Sequence, residues 1–432
     1  MELVELVREL GDPRRRQAAR KALTSLGPAA VPALLREMLD ESSPVDWFQI
    51  KLLLHAVGPA AFDDVLAALE TAPEGEARRR AGAAFSGLGA VERYAEALSH
   101  PAAAVRESAA FGIQSACSVA YGRTPAYRGD LGPVIEALIP LVADPDPGVA
   151  QRARWVLPML GDAVLEPLRR IRRDGPGALR APALAVLASA GGEEALSDRD
   201  RAAVARLIRI KALDDRAEPL ENCTTSWIAV PGGDRAGIAE ALGLSGERLA
   251  TFALGHSVVA HDSEDWPDPR RVYVTPEVDG WTLVVGAWCN PVDPERADGV
   301  LDAVTALSRR YGRAQAYHFG EHGGGSGWAV AEDGVVVRRL DASTWGDEPL
   351  PELGERLPEE DALYAEWTEA EDDEDADWED VASYMAPDLA LRLGATSPFA
   401  LGPRSAVRGD GVVALTPLAD EEGVPGTGAY RI

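Results

Sequence analysis

A glycine that closes a Leu/Ala-rich segment returns at Gly27, Gly58, Gly89, Gly132, Gly161 and Gly191, at spacings of 31, 31, 43, 29 and 30 residues. This period constrains the fold more than any other feature. A unit of that length cannot bury its own apolar face and has to stack on copies of itself. Two units repeat closely, Leu26-Gly27-Pro28-Ala29-Ala30-Val31 and Val57-Gly58-Pro59-Ala60-Ala61-Phe62. Each glycine suits a helix C-terminus that needs positive φ, and the proline behind it suits the first turn of the next helix. Small residues sit at helical spacing before the glycine (Ala18, Ala19, Ala22; Ala81, Ala83, Ala84). Aliphatic residues follow it on one face (Val31, Leu34, Leu35; Val134, Leu138, Leu141). The pattern predicts an α solenoid over residues 1–215.

Turn signals precede the first helix of several units: Gly11-Asp12-Pro13, Ser99-His100-Pro101 and Asp144-Pro145-Asp146-Pro147. With them, Asp12-Pro13, Arg16, Ala18-Ala19 and Leu26-Gly27, and again Pro101, Val105-Arg106 and Ala109-Ala110, resemble HEAT and HEAT-like (PBS-lyase type) repeats. The resemblance covers about half the chain. It implies helical pairs and a surface that grips another macromolecule. It implies no single activity, because such proteins include scaffolds, carriers and a few lyases or glycosylases. The 43-residue step marks an insertion, Cys117 to Leu131, holding Tyr121, Arg123, Tyr127 and Arg128. Such insertions fall on one face of a solenoid and often touch its ligand, so Tyr121 and Tyr127 are candidate partner contacts; a variable surface loop is the plainer reading.

From about Glu218 the helical period gives way to alternation. Arg271–Thr275 and Trp281–Val285 flank Asp279-Gly280, and Trp328–Val330 and Val335–Val337 flank Asp333-Gly334, two hairpin signals. Between them a helix is expected from Pro294 to Gly312, with Val300, Leu301, Val304 and Leu307 on one face. These elements predict an α+β domain over 218–358, antiparallel hairpins packed on a helix, with Trp281, Trp288, Tyr317 and Trp328 in its core. Residues 359–380 are expected as an acidic linker or loop, and 381–432 as an extension packed on the α+β domain, with a strand at Val412–Leu415. A solenoid followed by a Trp-bearing acidic domain is similar to proteins common in high-GC actinobacteria, a likeness that implies no activity.

Charge is divided as sharply as periodicity. The chain carries 43 Lys plus Arg against 70 Asp plus Glu, a net of −27. Through Ala217 the counts are 28 and 29; beyond it they are 15 and 41. Between Pro358 and Asp380 there are thirteen acidic residues and no basic one. Runs of this kind are usually solvated. Aromatic anchors beside carboxylates also suit a cationic partner, which makes Trp367, Glu371, Asp372, Asp373, Glu374, Asp375, Asp377 and Trp378 candidate contacts.

Catalysis has little support. Three widely spaced cysteines, Cys117, Cys223 and Cys289, form neither a disulfide framework nor a CxxC pair. His256, His261, His318 and His322 lie in the second half, but the i, i+4 spacing of the last two converges only on a helix, and His318 reads as strand. Gly323-Gly324-Gly325-Ser326-Gly327 lacks the lysine of a phosphate loop and reads as a hairpin tip. No cofactor, metal or catalytic residue is expected. The chain has no run of eighteen apolar residues and no signal sequence, so no membrane span and a cytoplasmic location are expected. Nucleic acid is disfavoured by the charge, despite Arg14-Arg15-Arg16 and Arg78-Arg79-Arg80. The expectation is a non-catalytic module that holds a basic protein, most concretely an immunity or antitoxin protein against a toxin domain. A scaffold or regulatory subunit is the alternative, and a metal-dependent enzyme the third reading.

Overall fold

In the computed structural model, residues 3–119, 124–263, 268–321, 324–343, 349–371, 377–422 and 432 are described. Contacts divide the chain into two compact units, Met1–Gly191 and Gly192–Ile432. The sequence reading ended the first domain at residue 215; here α13 (Asp198–Lys211) groups with the second unit. The division leaves net charges of −1 and −26.

The first unit is an α-helical solenoid. Its helices are α1 (Leu3–Arg8), α2 (Arg16–Leu26), α3 (Val31–Leu39), α4 (Trp47–Val57), α5 (Phe62–Thr71), α6 (Glu76–Phe85), α7 (Val91–Ala97), α8 (Ala103–Cys117), α9 (Gly132–Leu138), α10 (Pro147–Val156), α11 (Leu165–Asp174) and α12 (Gly177–Gly191). They form two layers. First helices of successive pairs stack in the order α2, α4, α6, α8, α10, α12; in the other layer α1 meets α3, α3 meets α5, and α7 meets α9. Ala19, Ala81, Ala84, Ala109 and Ala153 are buried, so small side chains let neighbouring helices close up, while Leu34, Leu54, Val65 and Leu168 fill the space between layers.

Positive φ appears at Gly27 (54°), Gly58 (68°), Gly89 (68°) and Gly161 (71°), each turning a first helix into a second. Two of the six glycines differ from expectation. Gly132 opens α9 rather than closing a helix, because the insertion ends there. Gly191 stays helical and Gly192 takes the turn with φ 54°. The stretch Trp47–Thr71, where no membrane span was expected, is long and apolar enough to cross a membrane by length and composition alone. It consists of α4 and α5 meeting at Gly58, and both bury one face within the solenoid.

The arginines of the repeat are structural. Arg16 Nε donates to the Leu10 carbonyl (3.0 Å), Arg78 Nη2 to that of Ala72 (2.9 Å) and Arg106 Nη1 to that of His100 (2.8 Å), each six residues back. A guanidinium there satisfies carbonyls left over at the end of the preceding helix.

The second unit is an α+β sandwich on one open antiparallel sheet. The strands are β1 (Thr224–Pro231), β2 (Ser245–Ala250), β3 (Arg271–Val274), β4 (Glu277–Val278), β5 (Trp281–Val285), β6 (Arg313–Gly320), β7 (Gly325–Glu332), β8 (Val335–Ser343), β9 (Val407–Arg408) and β10 (Gly411–Leu415); eight run in the order β2-β10-β3-β5-β1-β6-β7-β8, and the short β4 pairs with β5 and β9. Both hairpins form as read. Asp279 (φ 51°) with Gly280 (86°) and Asp333 (φ 47°) with Gly334 (86°) carry the paired positive φ values of a tight hairpin turn. The expected helix is α16 (Ala297–Tyr311).

Helices cover both faces. Ile238 and Leu242 of α14 (Arg235–Leu242) and Val300, Val304 and Leu307 of α16 pack on Ile228, Val230, Ala316 and Ala329. On the other face lie Trp227, Tyr273, Tyr317 and Trp328, all fully buried, with α15 (Phe252–Asp262), α17 (Pro358–Glu371), α18 (Trp378–Ala382) and α19 (Ala386–Arg392) nearby. Tyr317 and Trp328 are core as expected, Trp281 and Trp288 only half-buried, and Trp227 is stacked on Tyr317 at 5.0 Å. The C-terminal strand β10 is inserted between β2 and β3, and α20 (Leu418–Glu422) follows it.

Candidate functional site

The acidic stretch begins as a helix. In α17, Glu360 is completely buried: its Oε1 accepts from the Trp328 indole N–H (2.7 Å) and from Arg338 Nε (2.8 Å). Arg338, also completely buried, donates further to Glu352 and to the Gly354 carbonyl (3.1 Å). Expected as linker or loop, residues 358–371 are instead helical, because this ion pair and the indole tie their first turn to the sheet.

That anchorage brings α18 to β8 and opens an acidic cleft of about 270 Å3. Its lining includes Gly320 and Gly325 at the closed end of β6 and β7, Asp341 and Ser343 on β8, and Glu379, Asp380, Ser383 and Tyr384 of α18 and its C-terminal turn. A Cβ at Gly320 would meet Gly324 Cα at 2.7 Å, so only glycine fits this hairpin end. Gly325-Ser326-Gly327, read as a loop tip, are buried residues of β7.

The three carboxylates differ. Asp341 is held by its own loop, accepting from Ser343 N (3.0 Å), Ser343 Oγ (2.6 Å) and Leu350 N (2.9 Å). Glu379 and Asp380 are exposed, next to Asp377, which caps α18 by accepting from Glu379 N (2.9 Å). Tyr384 is 55% exposed on the rim. The cleft can accept hydrogen bonds and oppose a positive charge; a nucleophile–base pair is absent among its described lining residues.

Of the residues proposed from sequence, Asp377 caps and Trp378 opens the helix that walls the cleft. Trp378 is half-buried, with the Arg356 guanidinium carbon 3.7 Å from its ring centroid and Tyr364 at 5.6 Å, so its ring is already occupied. Trp367 is half-buried on α17. Tyr127 is half-buried in the first unit, its N–H bonded to the Ala116 carbonyl at 2.9 Å. Tyr121, Asp372, Asp373, Glu374, Asp375 and the Glu371 side chain lie outside the described residues. Sequence reasoning missed Asp341, Ser343, Ser383 and Tyr384, which acquire a role only through packing; Glu379 and Asp380 stood inside the acidic run without a mark of their own.

The histidines are packed. His318, on β6 as expected, shares a hydrogen bond with Ser226 Oγ (2.9 Å), and burial pushes its imidazole down to about 4. His256 lies against Phe252 and Tyr273, also pushed down to about 4 by burial. His261 is exposed and His322 lies outside the described residues. Among the described residues no group of three or more His, Cys, Asp or Glu is placed to hold a metal ion.

By architecture this is a helical-repeat protein with an α+β unit at its C-terminal side. No protein-family model matches the chain, and no curated protein matches it. Solved structures similar to it include a designed armadillo repeat protein in complex with the peptide (KR)4, 20% identical over 47% of this chain and 98% of that one, with a TM-score of 0.24. Another is a computationally designed armadillo repeat protein for modular peptide recognition, 17% identical over 45% of this chain and 100% of that one, TM-score 0.22. At such identities and scores the likeness says nothing of function. The repeat architecture rests on the two helical layers themselves.

Proposed function

We propose that this chain is a non-catalytic protein-binding module whose second unit holds a cationic partner protein at the acidic cleft. The observation that carries the reading is a cleft lined by Asp341, Glu379 and Asp380 in a unit of net charge −26. Its 270 Å3 falls below the range of about 300–1,000 Å3 usual for small-molecule sites and suits a single long side chain, an arginine or lysine. The field of the whole unit attracts such a partner over distance, and the cleft fixes one of its cations. The most concrete form is an immunity or antitoxin protein covering the basic surface of a toxin domain, a reading supported by charge alone.

The test is titration of the full chain with an oligo-arginine peptide, followed by fluorescence anisotropy across a salt series. Glu379→Lys with Asp380→Lys should weaken binding far more than Glu295→Lys, an exposed charge reversal elsewhere in the unit. Equal losses in the two variants, or binding that ignores salt, would defeat the assignment of this cleft.

A further inference from the structure

The near-neutral charge of the solenoid conceals a separation. The six first helices α2, α4, α6, α8, α10 and α12 hold eleven lysines and arginines and only two acidic residues, Glu76 and Glu107. The six helices of the other layer hold seven basic residues against ten acidic ones. Both glutamates of the first-helix layer face arginines, Glu76 those at 79 and 80, Glu107 that at 152. The helices of this layer are therefore net positive although the unit as a whole is close to neutral, with Glu74 and Asp144 of the adjoining turns pairing with Arg78 and Arg106.

Apolar exposure follows the same layer. In the solenoid the exposed large hydrophobic residues are Leu26, Phe48, Leu52, Phe111, Trp155 and, just beyond α8, Val119. None lies on a second helix among the described residues. Single exposed apolar residues are ordinary, but scatter would place them on both layers. The rings also carry the cations: Lys51 Nζ is 4.0 Å from the Phe48 centroid, the Arg79 guanidinium 4.9 Å from Trp47, and that of Arg152 5.0 Å from Phe111. A guanidinium stacked on a ring still directs its N–H groups outward in its own plane, where Arg79 meets Glu76 and Arg152 lies near Glu107.

We infer that the first-helix layer docks an acidic polypeptide segment carrying aromatic or aliphatic side chains. The rings and Leu52 receive its apolar groups, and Lys51, Arg79 and Arg152 receive its carboxylates, the two arginines in exchange for Glu76 and Glu107. Arg79 already shows the required geometry, forking Glu76 through Nε and Nη2, both at 2.6 Å. Nucleic acid offers anionic groups and stacking bases too, but exposed Leu26 and Leu52 have no use for phosphate, and a chain of −27 repels a long polyanion far more than a short peptide. The surface belongs to the first unit and takes a partner of opposite sign from that of the acidic cleft, so it stands or falls independently of the reading above.

The test uses the full chain and a fluorescein-labelled peptide of glutamates interrupted by leucine and tryptophan, with oligothymidylate as the competing probe. Anisotropy should report peptide binding that weakens about tenfold in the Lys51→Glu, Arg79→Glu variant, Lys51 being half-buried and Arg79 exposed. Phe111→Ser, also at the surface, should weaken it by a smaller factor, and Arg36→Glu on the other layer should leave it unchanged. A circular-dichroism melt of each variant checks that the solenoid is intact; if the double variant melts early, Phe111→Ser decides. Absence of peptide binding, tighter binding of oligothymidylate, or an equal effect of Arg36→Glu would each overturn the inference.

Discussion

Glu360→Ala is the most informative single change in the second unit. The carboxylate is completely buried and accepts from Trp328 Nε1 at 2.7 Å and from Arg338 Nε at 2.8 and 3.1 Å. Its removal leaves the Trp328 indole N–H and the Nε side of a buried guanidinium without their acceptor, with Glu352 and the Gly354 carbonyl still on Nη1. Breaking a buried ion pair by deleting one partner costs about 3–5 kcal/mol, a large part of the roughly 5–15 kcal/mol that holds a domain folded. Glu360→Gln keeps an oxygen for the indole but not the charge, and should cost less, about 1–3 kcal/mol. Replacing both partners, Glu360→Leu with Arg338→Met, should recover most of the loss, because no charge is then left buried; Glu352, 53% exposed, returns to water. Urea unfolding measures the energies, and hydrogen exchange read by mass spectrometry over residues 325–371 locates them. A Glu360→Ala penalty below about 1 kcal/mol, with unchanged exchange in α17, would refute the view that this pair pins the acidic helix to the sheet.

Two further outcomes are expected. His256 and His318 are held neutral down to about 4, whereas an unfolded imidazole takes its proton near 6.5. The unfolded chain therefore binds more protons in that window: the stability is whole above pH 6.5 and falls as pH drops towards 4, by about 3 kcal/mol per histidine. The urea midpoint followed against pH should fall less steeply in His256→Gln than in the parent chain, and parallel curves would remove His256 as a cause. In the solenoid, Arg106 forks Asp144 at 2.9 and 2.7 Å while binding the His100 carbonyl, with side chains 12% and 6% exposed. Arg106→Ala should cost about 2–4 kcal/mol while Arg79→Ala, at the surface, should leave the melt close to that of the parent chain; thermal melts that show equal losses would contradict the structural role of the repeat arginine.

Legibility followed the range of the interactions. The solenoid could be read because its period, its glycine turns and its Ala and Leu faces all act within some thirty residues. Gly132 and Gly191 were misplaced since composition cannot tell a glycine that opens a helix from one that closes it; the backbone angle at Gly192 can. The hairpins at Asp279-Gly280 and Asp333-Gly334 were readable for the same local reason. Strand β10 was visible as a strand, but not its seat between β2 and β3, which depends on partners more than a hundred residues away. Arg16 and Arg78, each the last or first of a triplet, looked like solvated charge until their carbonyl partners were seen.

Periodicity and turn chemistry, both carried by near neighbours in the chain, were enough to specify stacked helical pairs and to announce a β-rich, strongly acidic second half. Side-chain environment was not, because burial is a property of the folded neighbourhood. Only tertiary packing took Glu360 out of an acidic run and set it against Arg338, brought Asp341 to α18, and left the acidic residues of the solenoid helices mostly on one layer. Charge and hydrophobicity are summed along a sequence, but they act at distances of a few ångströms, where the fold alone decides which residues meet.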